Sequence, residues 1–340
     1  MSDRDPSSEP LDEFALIASV KRRVQPAPGV LLGIGDDAAV LAPSEHPQIV
    51  ACDALVEGVH FKRSWISPEA LGRRIVTANV SDFAAMGATP RWALLSFTVP
   101  SSTDTAWCYA AHEGVIGGLE EVGAALVGGD TTSTGGPVTL SLTLGGDALW
   151  EPLRRSGGQI GDQIWVTGTL GDSALGLRML KEGGGTSPEQ AFVIARHISP
   201  EARLDWGLWL GSEGVGRSAA DVSDGFLQDL GHIALASGCA AEVQLEDIPL
   251  SDAYRALHEG SSAPNLHDLA LTGGEDFELV FTAAPDANLP ARRGAIPVTR
   301  VGRLVSGESG AIRVLNADGS ERRVLQAGWR HFRSKVAEDV

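Results

Sequence analysis

The sequence predicts a two-domain α/β or α+β fold, and three observations support that prediction. The chain has 340 residues, which corresponds to about two domains of average size. Strand-like and helix-like segments alternate in both halves, as in layered domains. The composition changes over residues 147–162, which we interpret as the interdomain connection. The predicted organisation is a disordered tail over 1–10, an N-terminal domain over 11–148 and a C-terminal domain over 149–340.

The best-marked element of the N-terminal half is a helix over 67–90. Ser67 is a good N-cap and Pro68 suits the first helical position. Gly87 and Pro90 mark the end of the helix. The other elements follow from hydrophobic periods of 2 or 3.6 residues: a helix from Asp12, strands at 29–34, 38–42 and 48–55, a strand at 91–100, a helix at 103–124, and strands at 125–132 and 137–146.

The C-terminal half alternates in the same way. Its expected elements are a strand at 163–169, a helix from Asp172, helices across 187–211, a strand at 218–223, a helix at 224–238 and a strand at 241–245. An irregular stretch then leads to residues 272–283. There Phe277, Leu279 and Phe281 alternate with more polar neighbours, which is typical of a strand.

Composition and charge exclude several classes of partner. The formal net charge is -17, and an acidic surface repels nucleic acid and anionic membranes. A phosphorylated substrate remains possible if cations lie between protein and phosphate. No run of about 18 apolar residues occurs, so no transmembrane helix is expected. Hydrophobic residues make up 43% of the chain, which is enough for a sizeable core.

Cysteine usage and the first residues indicate a cytoplasmic protein. The three cysteines are odd in number and form neither a C-x-x-C nor a zinc pattern, which suits a reducing compartment. The first fourteen residues are acidic and polar, without the apolar region of a signal peptide.

The stretch GIGDDAAVL, residues 33–41, raises a question about phosphate binding. Gly33, Gly35 and Ala38 match the G-x-G-x-x-A pattern of a dinucleotide loop. Asp36 and Asp37 stand where the pyrophosphate would lie, and two carboxylates there oppose this interpretation. Mg²⁺ ions that bridge carboxylates and phosphates would explain the pattern better.

Acidic residues recur where elements end in small residues, at Asp36, Asp37, Asp53, Asp130, Asp221, Asp224, Glu275 and Asp276. Turn and cap chemistry explains any one of them. It does not explain Asp82, which shares the apolar stripe of a predicted helix with Leu71 and Ile75. A buried carboxylate is costly unless it is paired or binds a metal. Oxygen ligands without clustered His or Cys favour Mg²⁺.

Seven motifs occur in order: GIGDDAAVL, DALVEGVHF, ANVSDFAAMGATP, GGDTT, VTGTLGDSALGL, DVSDGFLQDLGHIA and GGEDFELVFT. Together they resemble those of thiamine-monophosphate kinases, over roughly residues 12–333. These enzymes belong to the aminoimidazole-ribonucleotide synthetase-like ATP-binding superfamily. The resemblance implies ATP-dependent phosphorylation of thiamine monophosphate to thiamine diphosphate. It also implies a homodimer in which N-terminal sheets form a barrel between subunits.

The resemblance also implies roles for particular residues. Mg²⁺ ions would be held by Asp37, Cys52, Asp53, Asp82, Asp130, Asp221 and Asp224. ATP would contact Gly129, Asp130, Arg155 and Ser223. Thiamine monophosphate would contact His60, Glu275 and Trp329. The catalytic residues would be Asp37, Asp82 and Asp130, as metal ligands, with Arg155 on the triphosphate. The acceptor oxygen belongs to a phosphate and is already nucleophilic, so no general base is required.

The chain departs from the family pattern at Ala51 and Cys52, where hydroxyl residues are usual. Successive strand side chains point to opposite faces. If Asp53 faces the cations, the Cys52 thiol points away and only its backbone carbonyl meets metal. If the strand has already turned, the thiol lies beside the metal site.

Two alternatives remain open on the sequence. One is another ATP-using enzyme of the superfamily; a selenophosphate synthetase, for example, carries a reactive cysteine near its N-terminus, whereas the first cysteine here is Cys52. The other is a non-catalytic module that binds a nucleotide or a divalent cation.

Overall fold

A computed structural model describes residues 12–258, 266–324 and 328. The predicted tail over 1–10 lies outside the described residues. The chain divides into two units, which we describe separately as unit 1 and unit 2. No helix among the described residues combines the length and apolarity that crossing a membrane requires.

Neither unit is a single continuous stretch of the chain. Unit 1 is the chain up to Pro152 together with Gly207–Ser212, and unit 2 is the remainder. The prediction placed Gly207–Ser212 in the C-terminal domain. These residues belong to unit 1 because Gly207 lies directly on the backbone of Ala84, where a Cβ would come within 2.0 Å of the carbonyl oxygen.

Unit 1 is built on a four-stranded sheet with strand order β3-β6-β4-β5. The β4–β5 pair is parallel and the other two pairs are antiparallel. Its elements are α1 (Glu13–Arg23), β1 (Val30–Leu32), β2 (Val40–Leu41), β3 (Gln48–Val56), α2 (Pro68–Met86), β4 (Thr89–Pro100), α3 (Thr105–Glu121), β5 (Ala125–Thr134) and β6 (Thr139–Asp147). Strands β1 and β2 form a separate antiparallel pair, shorter than the predicted strands at 29–34 and 38–42.

The predicted signals of α2 are confirmed. The Ser67 side chain accepts a hydrogen bond from the Ala70 amide, and Pro68 opens the helix. Gly87 ends the helix with φ +64°. The structure also explains the glycines of α3: a Cβ at Gly114 would lie 2.0 Å from the backbone oxygen of Glu69 in α2. The two helices pack backbone to backbone, which glycine alone allows.

The sheet of unit 1 has one covered face and one open face. Leu95, Leu140 and Leu142 are buried on the covered face, the side on which α2 carries Asp82 against Asp53 of β3. We use the name open face for the opposite side, which carries Val50, Cys52, Trp92, Leu94, Ser96, Ser141 and Thr143. Val50 is 59% exposed and Leu94 is 38% exposed on that face.

Unit 2 is built on a sheet with strand order β14-β13-β9-β12-β7-β10-β8, in which β11 pairs with β12. Its elements are β7 (Gln163–Thr167), α4 (Asp172–Lys181), α5 (Pro188–Ile198), part of α6 (Leu204–Glu213), β8 (Ser218–Asp221), α7 (Phe226–Ala236), β9 (Ala240–Gln244), α8 (Asp252–His258), α9 (Asp268–Thr272), β10 (Leu279–Ala283), β11 (Arg292–Arg293), β12 (Ile296–Val305), β13 (Ile312–Leu315) and β14 (Glu321–Arg322). Phe226, Leu230 and Val280 are fully buried in its core.

Unit 2 contains elements that the sequence analysis did not predict. The stretch between 245 and 272 was expected to be irregular, and it holds the short helices α8 and α9. Strand β10 begins only at Leu279, because residues 273–277 form a loop rather than the first half of a strand. All five residues of β10 are buried, so the alternation of residue types there does not mark a solvent face.

Candidate functional site

The acidic stretch of unit 1 lines a cavity of about 790 Å³. Asp36 and Asp37 contribute to its wall together with Gly129 and Asp130, which lie on β5. The Asp37 amide donates to the Asp36 carboxylate over 2.9 Å, and Thr132 donates to Asp130 over 3.0 Å. The structure therefore brings two predicted metal ligands, Asp37 and Asp130, to one cavity.

Gly129 is required by the geometry of β5. Its φ is +156°, and a Cβ there would lie 1.9 Å from the carbonyl oxygen of Leu95 on β4. Any other residue would push the two parallel strands apart and displace Asp130, the next residue in the chain. The GGD motif thus combines a backbone constraint with an exposed carboxylate.

Asp53 and Asp82 form a second acidic pair, on the covered face of the sheet. Burial raises the pKa of the Asp53 carboxyl, and a hydrogen bond with Asp82 acts in the opposite direction. Two carboxyl groups can share a hydrogen bond only if one of them holds a proton. A divalent cation bound between them would instead allow both carboxyl groups to be ionised. The inward acid predicted at Asp82 therefore lies against another carboxyl group.

Cys52 lies on the open face, opposite Asp53. Its Sγ is 3.6 Å from Ser141 Oγ, and Thr143 donates to it over 3.4 Å. The strand has not turned at this position, so its side chains alternate normally. The thiol points away from the Asp53–Asp82 pair, and at that pair only the backbone of Cys52 is available to a cation.

His60 follows β3 in a tight turn. Its Nδ1 accepts a hydrogen bond from the Val56 amide over 3.0 Å. A neutral ring with this acceptor carries its proton on Nε2. The turn therefore sets the tautomer of the predicted substrate contact.

The predicted ligands of unit 1 occur as pairs in the structure. Within the described ranges, no group of three or more His, Cys, Asp or Glu side chains lies close enough to hold a metal ion. The donors present are carboxylate oxygens, which Mg²⁺ prefers. At the Asp53–Asp82 pair, burial raises the pKa of the Asp53 carboxyl, so negative charge there is unfavourable without a compensating cation. The residues therefore fit Mg²⁺ chemically.

In unit 2 a single carboxylate organises the loop of residues 222–225. One oxygen of Asp229, in α7, accepts hydrogen bonds from the amides of Ser223, Asp224 and Gly225 over 3.2, 3.1 and 3.1 Å. Burial raises the pKa of Asp229 to about 8, and the charges of Asp221 and Asp224 add to the shift. The sequence analysis missed Asp229, although its place in the first turn of α7 was the available signal.

The loop of residues 273–277 pairs with this first loop. The Glu275 amide donates to the Ser223 carbonyl over 2.8 Å, and the Phe277 amide donates to Val222 over 2.9 Å. Glu275 and Phe277 both have positive φ, at 65° and 52°. Such a conformation costs about 1–3 kcal/mol per residue and persists only where the surroundings impose it. The structure therefore brings Glu275 beside Ser223 and its neighbours.

Asp276 holds the 273–277 loop from the inside. Its fully buried carboxylate accepts the amide of Gly171 over 2.7 Å and that of Ser173 over 3.1 Å, at the start of α4. Burial raises the pKa of Asp276 to about 8 in spite of these bonds, and the charge of Asp172 adds to the shift. Asp276 therefore stabilises the 273–277 loop by these hydrogen bonds, whereas its neighbour Glu275 has the more accessible carboxylate.

Of the two remaining predicted site residues, Arg155 lies within the described residues and Trp329 does not. Arg155 is exposed, and its charge acts with burial to lower the pKa of His232 in α7. Trp329 lies outside the described residues. Its neighbour Gly328 is described, and a Cβ there would lie 2.7 Å from the carbonyl oxygen of Asp224.

A buried ion-pair network beside the 273–277 loop was also missed. Glu278 is fully buried and accepts two hydrogen bonds of 2.6 Å from Arg203. Arg196, in α5, donates to it over 2.8 Å, and so does Thr167, in β7. Because both arginines are distant in sequence from Glu278, no local sequence pattern indicated this network.

Comparisons with known proteins agree with the resemblance of the motifs. Residues 35–148 match the family described as AIR synthase related protein, N-terminal domain, and residues 159–315 match the C-terminal domain of that family. The thiamine-monophosphate kinase of Rhodopirellula baltica is 35% identical over 96% of this chain and 99% of its own length.

Solved structures give the same result. The crystal structure of thiamine-monophosphate kinase from Stenotrophomonas maltophilia is 37% identical, with a TM-score of 0.78 over 92% of this chain and 99% of that one. The structure of AaThiL complexed with AMPPCP and TMP is 33% identical, with a TM-score of 0.77 over 94% and 97% of the two chains. The chain belongs to the thiamine-monophosphate kinase family of AIR synthase related proteins.

Proposed function

We propose that this chain transfers the γ-phosphoryl group of ATP to the phosphate of thiamine monophosphate, giving thiamine diphosphate and ADP. The observation that carries the proposal is the hydrogen-bonded pair of loops in unit 2. These loops bring Ser223 and Asp224 beside Glu275, the residues for which we propose contacts with a nucleotide, a cation and an organic substrate. A relative of 33% identity complexed with AMPPCP, an ATP analogue, and TMP supports the same pair of substrates.

The chemistry requires positioning and charge neutralisation more than proton transfer. The acceptor is a phosphate monoester whose oxygen is a nucleophile at neutral pH, so no side chain has to remove a proton. The main obstacle is repulsion between two polyanions. Mg²⁺, when bound, would supply the positive charge that the acidic protein lacks. Direct in-line transfer without a general base follows.

The residues of each unit have distinct roles in this proposal. In unit 1, Mg²⁺ would be held by Asp37, Asp53, Asp82 and Asp130, with a further contact from the Cys52 backbone. In unit 2, Asp221 and Asp224 would hold Mg²⁺. ATP would contact Gly129, Asp130, Arg155 and Ser223, where the guanidinium of Arg155 favours the triphosphate. Thiamine monophosphate would contact His60, Glu275 and Trp329.

The protein acts as a homodimer in the cytoplasm under this proposal. The open face of unit 1 supports the dimer, because Val50 and Leu94 are large apolar side chains left 59% and 38% exposed on a sheet. A partner's sheet would cover them and close a barrel. The acidic composition and the three free cysteines suit a reducing compartment without nucleic acid or membrane partners.

A coupled ADP-release assay with different acceptors tests the proposal. Thiamine monophosphate, thiamine and an aminoimidazole precursor are compared, each with ATP and Mg²⁺. We expect turnover with thiamine monophosphate alone. Comparable turnover with thiamine or the precursor would refute the assignment. ATP binding without turnover on any acceptor would indicate a binding module.

A further inference from the structure

His197 contacts the proposed substrate residue Glu275 from inside unit 2. It lies near the end of α5 and is 2% exposed. Its Nδ1 is 3.1 Å from Ser173 Oγ and 3.6 Å from Glu275 Oε2. The second distance is longer than a hydrogen bond but short enough for electrostatic attraction.

The position of the His197 ring is tightly defined by its surroundings. The preceding residue, Arg196, donates to the buried carboxylate of Glu278 over 2.8 Å, which fastens the last turn of α5 to the residue directly before β10. The start of α5 is fixed by a capping box between Ser187 and Gln190. The ring therefore approaches Glu275 from a rigid helix rather than from a loop.

The two oxygen atoms near Nδ1 indicate which nitrogen carries the proton. An ionised carboxylate can only accept hydrogen bonds, whereas a serine hydroxyl can donate or accept. An unprotonated Nδ1 would place a lone pair against the Glu275 carboxylate. With hydrogen on Nδ1, the ring attracts Glu275 and is also satisfied by the Ser173 hydroxyl.

The backbone conformation of Glu275 alone does not orient its side chain. Its φ of 65° is held by loop contacts, but the carboxylate is 27% exposed and accessible to a ligand. Thiamine monophosphate offers a positively charged thiazolium ring and a pyrimidine amino group, which a fixed carboxylate can bind. We infer that His197 is a positioning residue for thiamine monophosphate: its Nδ1–H, shared between Ser173 and Glu275, aims the Glu275 carboxylate at the organic cation.

This inference rests on the proposed role of Glu275, and the variants separate the two. In His197→Asn the side-chain amide lies where Nδ1 was, whereas in His197→Gln it lies near the position of Nε2. Both keep a polar group of similar size in the buried site. We expect His197→Asn to keep the KM for thiamine monophosphate within about threefold and His197→Gln to raise it about tenfold, since the electrostatic attraction between the Nδ1–H group and the Glu275 carboxylate is lost. The KM for ATP is unchanged in both.

A double-mutant cycle with Glu275→Gln completes the experiment. We expect Glu275→Gln to raise the same KM about tenfold, and His197→Gln to add little in the double variant. If Glu275→Gln leaves this KM unchanged, the substrate role of Glu275 fails and the inference falls with it. If Glu275→Gln raises the KM for thiamine monophosphate, three outcomes would overturn the inference about His197 alone. His197→Asn and His197→Gln would change this KM equally, or the effects of His197→Gln and Glu275→Gln would add in full in the double variant. Alternatively, the histidine variants would raise the KM for ATP as much as the KM for thiamine monophosphate.

Discussion

At the scale of single residues, the central feature is the carboxyl pair of Asp53 and Asp82. Burial raises the pKa of the Asp53 carboxyl beside Asp82, so two ionised groups there are unfavourable in the metal-free protein, and a bound cation would remove this cost. We expect Asp82→Asn to remove most activity, because a proposed Mg²⁺ ligand is lost. The same change should raise the melting temperature of the metal-free protein by a few degrees, about 1 kcal/mol, because a neutral amide beside Asp53 removes one of two acids from a partly buried site. Turnover and thermal unfolding in a chelating buffer measure the two effects.

Asp53→Asn is the matched control for this prediction. Either substitution leaves one carboxyl and one amide, so each should stabilise the metal-free protein and the double variant should gain little more. Near-normal Mg²⁺-dependent turnover of Asp82→Asn would show that it is not a ligand.

The Cys52 thiol gives a second prediction at this scale. The thiol points away from the Asp53–Asp82 pair, and Cys52 is not among the residues that line the cavity of Asp37 and Asp130. Sulfur binds Cd²⁺ far better than Mg²⁺, so Cd²⁺ inhibition reports whether the thiol contacts a bound metal. Replacement by the hydroxyl residue usual in the family, Cys52→Thr, should leave Mg²⁺-dependent turnover and Cd²⁺ inhibition unchanged. The measurement is a Cd²⁺ titration of both proteins at fixed Mg²⁺. Weaker inhibition of Cys52→Thr would place the thiol at the metal site.

Individual residues also show how far the sequence could predict the site. The inward position of Asp82 followed from helical periodicity, and the structure gives it a partner on β3. Asp229, His197 and Glu278 could not be predicted in the same way. Each acts through a residue that is close in space, and spacing along the chain does not reveal such pairs.

At the scale of elements, two loops define the candidate site of unit 2, and buried carboxylates of α7 and of the second loop hold them. Sequence patterns predicted a strand across 272–283, because apolar and polar residues alternate there. The positive φ values of Glu275 and Phe277 instead form a loop. Non-glycine residues rarely adopt this conformation, so local propensity pointed to the wrong structure.

Asp276 makes the stability of this loop dependent on pH. Its pKa is about 8 in the folded protein and 3.8 in a model compound, so between these values the folded state holds a proton that the unfolded state has lost. Stability should therefore fall as the pH rises from about 4 to about 8, by up to about 1.4 kcal/mol per pH unit. Urea unfolding across this range in a chelating buffer measures the slope.

Asp276→Asn isolates this contribution. Its amide oxygen can accept from only one of the two backbone amides at the start of α4, so the variant's stability is lower at every pH, but its side chain does not titrate. Asp229 contributes a slope of the same sign, so the difference between wild type and variant is the informative quantity. The variant should have the shallower slope; parallel curves would contradict the account.

At the scale of the whole molecule, alternation of elements predicted two units, but not the full sheet of unit 2. Strands β12 and β13 were missed, and β13 pairs in parallel with the distant β9. Strand β12 carries a register shift between Arg300 and Gly302, which interrupts regular alternation. Short strands with non-local partners leave little periodic signal.

The open face of unit 1 predicts the behaviour of the molecule in solution. Leu94→Lys would place an ammonium group in the proposed barrel between subunits, so we expect light scattering to show a monomer at micromolar concentration. Leu235→Lys is the matched control, because Leu235 is 60% exposed in α7 of unit 2 and should leave the dimer intact. A monomeric wild type, or an unchanged mass for Leu94→Lys, would contradict a dimer through this face.

The most direct test of the central claim follows the γ-phosphorus of ATP by ³¹P NMR. With thiamine monophosphate and Mg²⁺ present, the account predicts that this phosphorus becomes the β-phosphorus of thiamine diphosphate. One ADP should form per thiamine diphosphate, and removal of Mg²⁺ with a chelator should stop the reaction. Appearance of the γ-phosphorus as inorganic phosphate, with thiamine monophosphate unchanged, would contradict the account.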